Sequence, residues 1–430
     1  MSNQPRRLAM LVAVSILPWC CGVAAEPLPG MAPGTPASID LQAAIRLALE
    51  QPKLRAAAHE VAASEAVVDQ AGRYPNPELE YLREGQRAGT RTTTVQINQP
   101  IELGGKRRAR VAAAEGTVAV ARTELAARRQ EIRSDVIASY YAMLVAQERQ
   151  QLARSLVELA GRGVIVASKR VAAGKSSPID ETKARLAAVD ASVELSQATG
   201  ALAIARTRLG ALIGKPADSI ALPADSPERL PEVKPLATLF ASVGDSAAVQ
   251  RARSQLTAQV AQTDIERAAR IPDVTVSVGS QRDDEVQRRQ TVIGLSVPLP
   301  LFNRNQGKLS AALRRTDKAR DELAAAQVTA ASDLASAYTR YEVARNEVAL
   351  LQQNVLPNAQ SAYELTLRGF EYGKFSFLEV LDAQRTLFQS RSRHWNALLE
   401  GWRAYAEIER LAGTANTTEQ DRTTEPGSHP

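Results

Sequence analysis

The 430-residue chain carries 44% hydrophobic residues, only 4% aromatics and a formal net charge of +6. There is enough apolar material for a large core, but abundant alanine with few aromatic rings suits close helix packing better than a β-sandwich or an α/β enzyme. The charge is too mild and too dispersed to point to nucleic acid as a partner.

Residues 1–25 place Arg6 and Arg7 ahead of an apolar run from Leu8 to Trp19, with Val23, Ala24 and Ala25 where a signal peptidase reads small residues. An export signal is expected here rather than a membrane span, because the run is too short. Cleavage after Ala25 removes both cysteines, Cys20 and Cys21, so the mature chain would hold no disulfide and no thiolate metal site. Loss of Arg6 and Arg7 lowers the formal charge to +4. Lipidation at Cys20 or Cys21 would need small residues ahead of it, and Trp19 and Cys20 fit that requirement poorly. An extended segment over 26–40 follows.

From Leu41 one order of features occurs twice. The first repeat, 41–214, opens with a helical stretch that Pro75-Asn76-Pro77 should end. A strand pair over 77–99 follows, its second member alternating through Thr93-Thr94-Val95-Gln96-Ile97 around a polar loop from Glu84 to Arg91. After Gly104-Gly105-Lys106 a long helical pattern carries Val111, Val118, Leu125 and Ile132 at intervals of seven and runs to Gly174. Five prolines in 215–235 mark a linker that cannot continue a helix.

The second repeat, 236–413, again gives a helix, then a strand pair over 273–298, with Val274, Val276 and Val278 entering a charged loop from Gln281 to Gln290. Another long helix follows, on which Pro357 should impose a kink, and it ends at Tyr372-Gly373-Lys374. Beyond it Leu381, Phe388, Trp395 and Trp402 recur every seven residues, with Leu398 and Tyr405 three further on, as a coiled-coil seam requires. The polar tail, 414–430, is expected to be disordered.

The segment VAAGKSSPIDET, 171–182, looks at first like a phosphate-binding loop. The first glycine of such a loop would have to stand at Lys169, and helical rather than strand spacing leads in. Its Gly174-Lys175 turn is matched by Gly373-Lys374, and both read as helix-hairpin tips. Glycine closes the incoming helix, Ser177 or Ser376 caps the outgoing one, and Asp180 or Glu379 stands at the capping-box position.

A helical pattern over Lys106 to Ala173 reaches about 100 Å if unbroken, far beyond a globular domain. Four strands cannot close an outer-membrane barrel, which needs at least about eight, so several chains would have to share one. At this point three segments carry a resemblance over nearly the whole mature chain: Pro75-Asn76-Pro77-Glu78-Leu79, Val297 to Gly307 (VPLPLFNRNQG) and Leu381 to Phe388 (LDAQRTLF). Together they resemble the TolC-like outer-membrane efflux channels, and the middle one is most similar to the branch serving cobalt-zinc-cadmium type heavy-metal pumps.

The resemblance implies a mainly α fold with a small β part. Long coiled-coil helices would form a trimeric α-barrel in the periplasm, and four strands per chain would contribute to a shared twelve-stranded β-barrel in outer-membrane lipid. It implies a homotrimeric passive duct, docked on a periplasmic adaptor and an inner-membrane, proton-driven resistance-nodulation-division pump, with divalent heavy-metal cations as cargo. Drug efflux, protein secretion and a periplasmic coiled-coil scaffold are the alternatives.

By the same resemblance, Gly174, Lys175, Gly373 and Lys374 match the adaptor-contacting tips, and Glu379 and Asp382 match the acidic rings of the periplasmic constriction. Where some relatives place an arginine this chain has Phe375, so Lys374 or Lys175 would have to replace it as the closed-state partner of Asp180. Lys169, Arg170, Lys175, Arg368 and Lys374 could equally form a basic docking rim or a solvated end. No nucleophile and base pair, metal cluster or cofactor loop is legible, so neither an enzyme nor a cofactor is expected. His59, His394, His429, Met31 and Met143 are not paired at ligand spacing.

Overall fold

The computed structural model describes residues 38–85, 90–221 and 229–412. The expected signal, most of the segment over 26–40, Met31, His429 and the tail from 413 lie outside the described residues.

In chain order the helices are α1 (Leu41–Leu49), α2 (Pro52–Ala71), α3 (Lys106–Ala172), α4 (Pro178–Ile213), α5 (Leu236–Ala241), α6 (Ala247–Ala268), α7 (Gln306–Leu350), α8 (Leu356–Glu371) and α9 (Phe377–Ala412). The strands are β1 (Glu78–Glu84), β2 (Thr92–Ile101), β3 (Val274–Asp283) and β4 (Arg288–Ser296). The 67 residues of α3 give a single rod about 100 Å long.

All four strands form one antiparallel sheet in the order β1-β2-β3-β4, so the two hairpins join through β2 and β3. Alternation sorts their side chains. Leu79, Ile97, Val278 and Ile293 are cross-strand neighbours in one row, and each is at least half exposed on this face. The other face is polar: Glu80 accepts from Gln96 at 2.7 Å and from Asn98 at 2.8 Å. Gly279 sits on that face opposite Gln96, where a Cβ would lie 2.4 Å from the Gln96 Cβ.

Two boundaries differ from the sequence reading. β2 continues through Pro100 to Ile101. Pro100 lies past Asn98, the last residue of β2 that β1 reaches, so it stands at an edge where a missing N–H leaves no ladder gap on that side. The charged stretch over 281–290 is mostly strand: Gln281↔Gln290, Arg282↔Arg289 and Asp283↔Arg288 are paired residues, which leaves a loop of only four. Charge had suggested loop, but a strand exposed on both faces accepts charge without penalty.

The chain leaves the sheet through short polar clamps. Gly104 and Gly105 are left-handed, with φ of 71° and 74°, and at Gly104 a Cβ would come within 2.8 Å of the Ile271 side chain. In the second repeat Asn305 takes the corresponding left-handed position before α7, with φ of 58°, and its amide donates to the Glu266 carboxylate at 2.6 Å. Lys106 pairs with Asp273 at 2.8 Å and Arg110 with Glu102, which ties the start of α3 to the base of the sheet.

The longest seam is built of alanine. Ala146, Ala153, Ala160 and Ala167 recur every seven residues on α3, and Ala184, Ala191 and Ala198 do so on α4; all are buried, and α3 packs along α4. Larger residues gather near the middle of the molecule, where Tyr141 stacks on Trp402 at 3.6 Å between ring centroids. Burial raises the Tyr140 hydroxyl to about 12 and the Tyr141 hydroxyl further.

On α9 the buried row is Val380, Leu387, His394, Gly401 and Ile408, again at intervals of seven. Of the seam expected from the large side chains, Trp402 and Leu398 are buried, whereas Leu381, Phe388, Trp395 and Tyr405 are only partly so. A second buried row, Ser390, Ala397, Ala404 and Leu411, stands three positions further on, so the seam lies one position before the expected one and leaves most of the aromatic residues at its flank.

The expected break at Pro357 takes a specific form. Residues Leu351–Val355 form a π-helical turn between α7 and α8, and Pro357 follows at once. Proline cannot donate and its ring clashes with the carbonyl four residues back; a wider turn removes that conflict.

Candidate functional site

The two hairpin tips sit at the end of the helices remote from the sheet. In both, the chain stops its helix with two backbone bonds and a left-handed glycine. At the first tip Gly174 (φ 69°) donates to the Val171 carbonyl at 2.9 Å and Lys175 to Arg170 at 2.8 Å. At the second, Gly373 (φ 73°) donates to Phe370 at 3.0 Å and Lys374 to Gly369 at 2.7 Å. This double closure satisfies carbonyls that the helix end leaves open and projects Lys175 and Lys374 into solvent.

The outgoing helices differ. At the second tip the Ser376 N–H and hydroxyl both donate to the Glu379 carboxylate, at 2.6 and 2.9 Å, while the Glu379 N–H donates back to the Ser376 hydroxyl at 3.3 Å. The Ser376 backbone bond, reinforced by its hydroxyl, holds the Glu379 carboxyl below its ordinary value. At the first tip Ser177 accepts from the Ile179 N–H at 3.4 Å, and the reciprocal bond from Asp180 is not formed. Aspartate is one methylene shorter than glutamate and does not reach back across the turn.

Glu379 is therefore a capping acid, and with Asp382 three residues on it leaves two exposed carboxylates near the start of α9. Asp180 is partly exposed, and no ion pair joins it to Lys374 within one chain.

Two contacts at the tips had no signal in the sequence. Phe375 folds back on the helix it follows, and a Cβ on Gly369 would lie 2.1 Å from its ring, so the absence of a side chain there seats the phenyl group. The Arg170 guanidinium lies 4.7 Å from the centre of the Phe370 ring and thereby bridges the two hairpins. Of the basic residues suggested for a docking rim, Arg170 is thus engaged within the chain, while Lys169, Lys175, Arg368 and Lys374 are exposed. The spacing of glycines and aromatics along the chain does not reveal either contact, because each depends on how the tips close in space.

Among the described residues no group of three His, Cys, Asp or Glu side chains could hold a metal ion. His59 is exposed, His394 is buried beside Trp395, and Met143 is buried in the core.

The family model for "outer membrane efflux protein" matches residues 44–215 and again 243–414. The chain belongs to the outer membrane efflux protein family. It is 44% identical over 376 residues to the cobalt-zinc-cadmium resistance protein CzcC of Cupriavidus metallidurans, covering 87% of this chain and 90% of that one. In fold it is similar to a membrane protein from Pseudomonas aeruginosa, with a TM-score of 0.76, 21% identity and 88% and 91% of the two chains covered. It is also similar to the outer membrane protein VceC from Vibrio cholerae, with a TM-score of 0.73, 22% identity and 87% and 96% covered.

Family and fold make this chain an outer-membrane efflux channel of the TolC-like type, a conduit rather than an enzyme, with its sheet in the outer membrane and its helices in the periplasm. In an outer-membrane sheet an apolar row such as Leu79, Ile97, Val278 and Ile293 suits contact with lipid, and the polar Glu80 side suits contact with water.

Proposed function

We propose that the protein is the homotrimeric exit duct of a tripartite, proton-driven efflux system, passing divalent heavy-metal cations such as zinc, cobalt, cadmium or nickel delivered by an inner-membrane pump through a periplasmic adaptor. The observation that carries the trimer is the open sheet. Among the described residues its edges, β1 and β4, are unpaired and its apolar face is bare. In a bilayer those edge groups have no water to bond, so pairing β4 of one copy with β1 of the next, three times, closes twelve strands.

The helices support the same ring. Ile179, Leu186 and Val193 are exposed every seven residues on α4, on the side away from its alanine seam. In the second hairpin Val343 and Leu350 form a comparable exposed row, and Leu365 and Tyr372 continue it once the π-helical turn has added one residue. Two unlike bare stripes, one on each hairpin, suit head-to-tail contact around a closed ring.

Identity to CzcC supports the cargo. Three copies would gather Glu379 and Asp382 into a ring of six carboxylates, which attracts cations and repels itself. The tips at Gly174, Lys175, Gly373 and Lys374 would meet the adaptor, and Asp180 with Lys374 would close the mouth between neighbouring copies.

Cross-linking in membranes should give trimers, and deletion should lower tolerance to one or more of these cations; a soluble monomer or unchanged tolerance to all of them would refute the reading. Glu379→Gln with Asp382→Asn should alter single-channel conductance and weaken block by divalent or trivalent cations. Unchanged values on both counts would remove these residues from the constriction.

A further inference from the structure

We propose that the lipid-facing side of the sheet carries, at its outer end, an arginine site for the phosphorylated headgroup of an outer-leaflet lipid. Register places the site. Arg83 pairs with Thr93, Thr93 with Arg282, and Arg282 with Arg289, so three guanidiniums stand in one row across all four strands. The row lies on the face of Leu79, Ile97, Val278 and Ile293, four residues further along each strand and next to the hairpin loops. Between them runs the row of Tyr81, Val95, Ser280 and Thr291, apolar on β1 and β2 and hydroxyl-bearing on β3 and β4.

With Arg91 these residues line a depression of about 660 Å³. Its one carboxylate is that of Asp284, which accepts from the Arg282 Nε at 3.0 Å. The Arg91 Nε is buried and has no hydrogen-bond partner among the described residues.

Like charges directly opposite one another weaken a sheet, and Arg282 faces Arg289 with Asp284 alone among the described lining residues to offset four cations. A phosphate relieves that repulsion and bonds guanidiniums in pairs. Height decides the source of the phosphate. From Arg282 to Val274 is eight residues, about 27 Å along the strand and about 20 Å across a bilayer at the usual tilt. The row therefore lies where apolar wall gives way to headgroups, on the side away from the periplasmic helices, with Tyr81 and Val95 beneath its Arg83 end to meet the apolar part of the same molecule.

The site rests on the reading of the sheet as one sector of a membrane barrel. The full-length protein, purified in detergent, is offered diphosphoryl lipid A, its dephosphorylated form or inorganic phosphate, and bound lipid is counted by native mass spectrometry. The diphosphoryl form should be retained and the dephosphorylated form lost. Arg282→Gln with Arg289→Gln should lower retention at least about tenfold, and Arg282→Lys with Arg289→Lys should lie between.

Equal retention of the two lipids by the unaltered protein would overturn the site without recourse to any variant that fails to fold. Displacement of the lipid by millimolar inorganic phosphate would reassign it to a free anion. Loss of lipid binding by the glutamine variant, with trimers and cation tolerance intact, would support the site and separate it from the channel function.

Discussion

The two helical hairpins perform the same task with different construction. The first runs unbroken along α3 and closes on alanines, Ala153 and Ala160 against the Ala184 to Ala198 row. The second is divided by the π-helical turn at Leu351–Val355 and closes on a mixed core in which Leu334, Tyr341 and Ile408 fill the space between Ala330, Ala337 and Ala412. A uniform small-residue seam suits a straight, stiff rod. A mixed seam with a wide turn tolerates an irregular one, and it is this second rod whose tip carries Glu379 and Asp382.

The contrast can be broken from either side. The largest effect is expected from Leu334→Ala, which empties a fully buried site in the mixed core and should cost about 2–5 kcal/mol in chemical unfolding followed by circular dichroism. Ala160→Leu makes the opposite change in the alanine seam. It should cost about 1–3 kcal/mol, because α3 and α4 cannot both keep their spacing and house the longer side chain; no loss of stability would mean that the seam is looser than its burial indicates.

Leu186 sharpens the comparison from outside. It is 62% exposed in one chain, so Leu186→Asn should leave helix content unchanged yet reduce the trimer recovered after cross-linking. The smallest effect concerns the tips. The Glu379 carboxyl is held low by Ser376, so its contribution is present above the carboxyl's ordinary value of about 4.3 and is lost only as the pH falls through a still lower one. Amide exchange in the first turn of α9 should stay slow down to that range and then quicken. Ser376→Ala should quicken it at neutral pH, toward the rate of the first tip, which lacks the reciprocal bond.

Much of the scaffold was legible because it rests on local rules. Val274, Val276 and Val278 announce a strand by alternation, Gly174 and Gly373 mark helix ends, and Gly104-Gly105 marks the start of α3. The alanine seam was hidden because alanine is everywhere in the chain; only the packed partner reveals which alanines are buried. Pro357 signalled a break, but which backbone bonds shift is a property of the folded turn.

The turns at Gly174 and Gly373 are legible from local glycine and capping signals, whereas Phe375 on Gly369 and Arg170 on Phe370 depend on how the chain closes in three dimensions. Arg282 and Arg289 fall within the charged stretch over 281–290 that reads as loop, and Arg83 stands just ahead of the polar loop over 84–91. They become neighbours only once the register across the two repeats is known, and that register is set by long-range pairing between β2 and β3.

The alanine rows also set a calibre. Helices meeting through single methyl groups lie near the lower end of the usual 8–10 Å spacing, so a tube assembled from them has a shorter circumference than one of equal helix number built on leucine. The width of the bore is then written into the smallest side chains of its wall, and enlarging them would widen the pipe before any residue lining it had been touched.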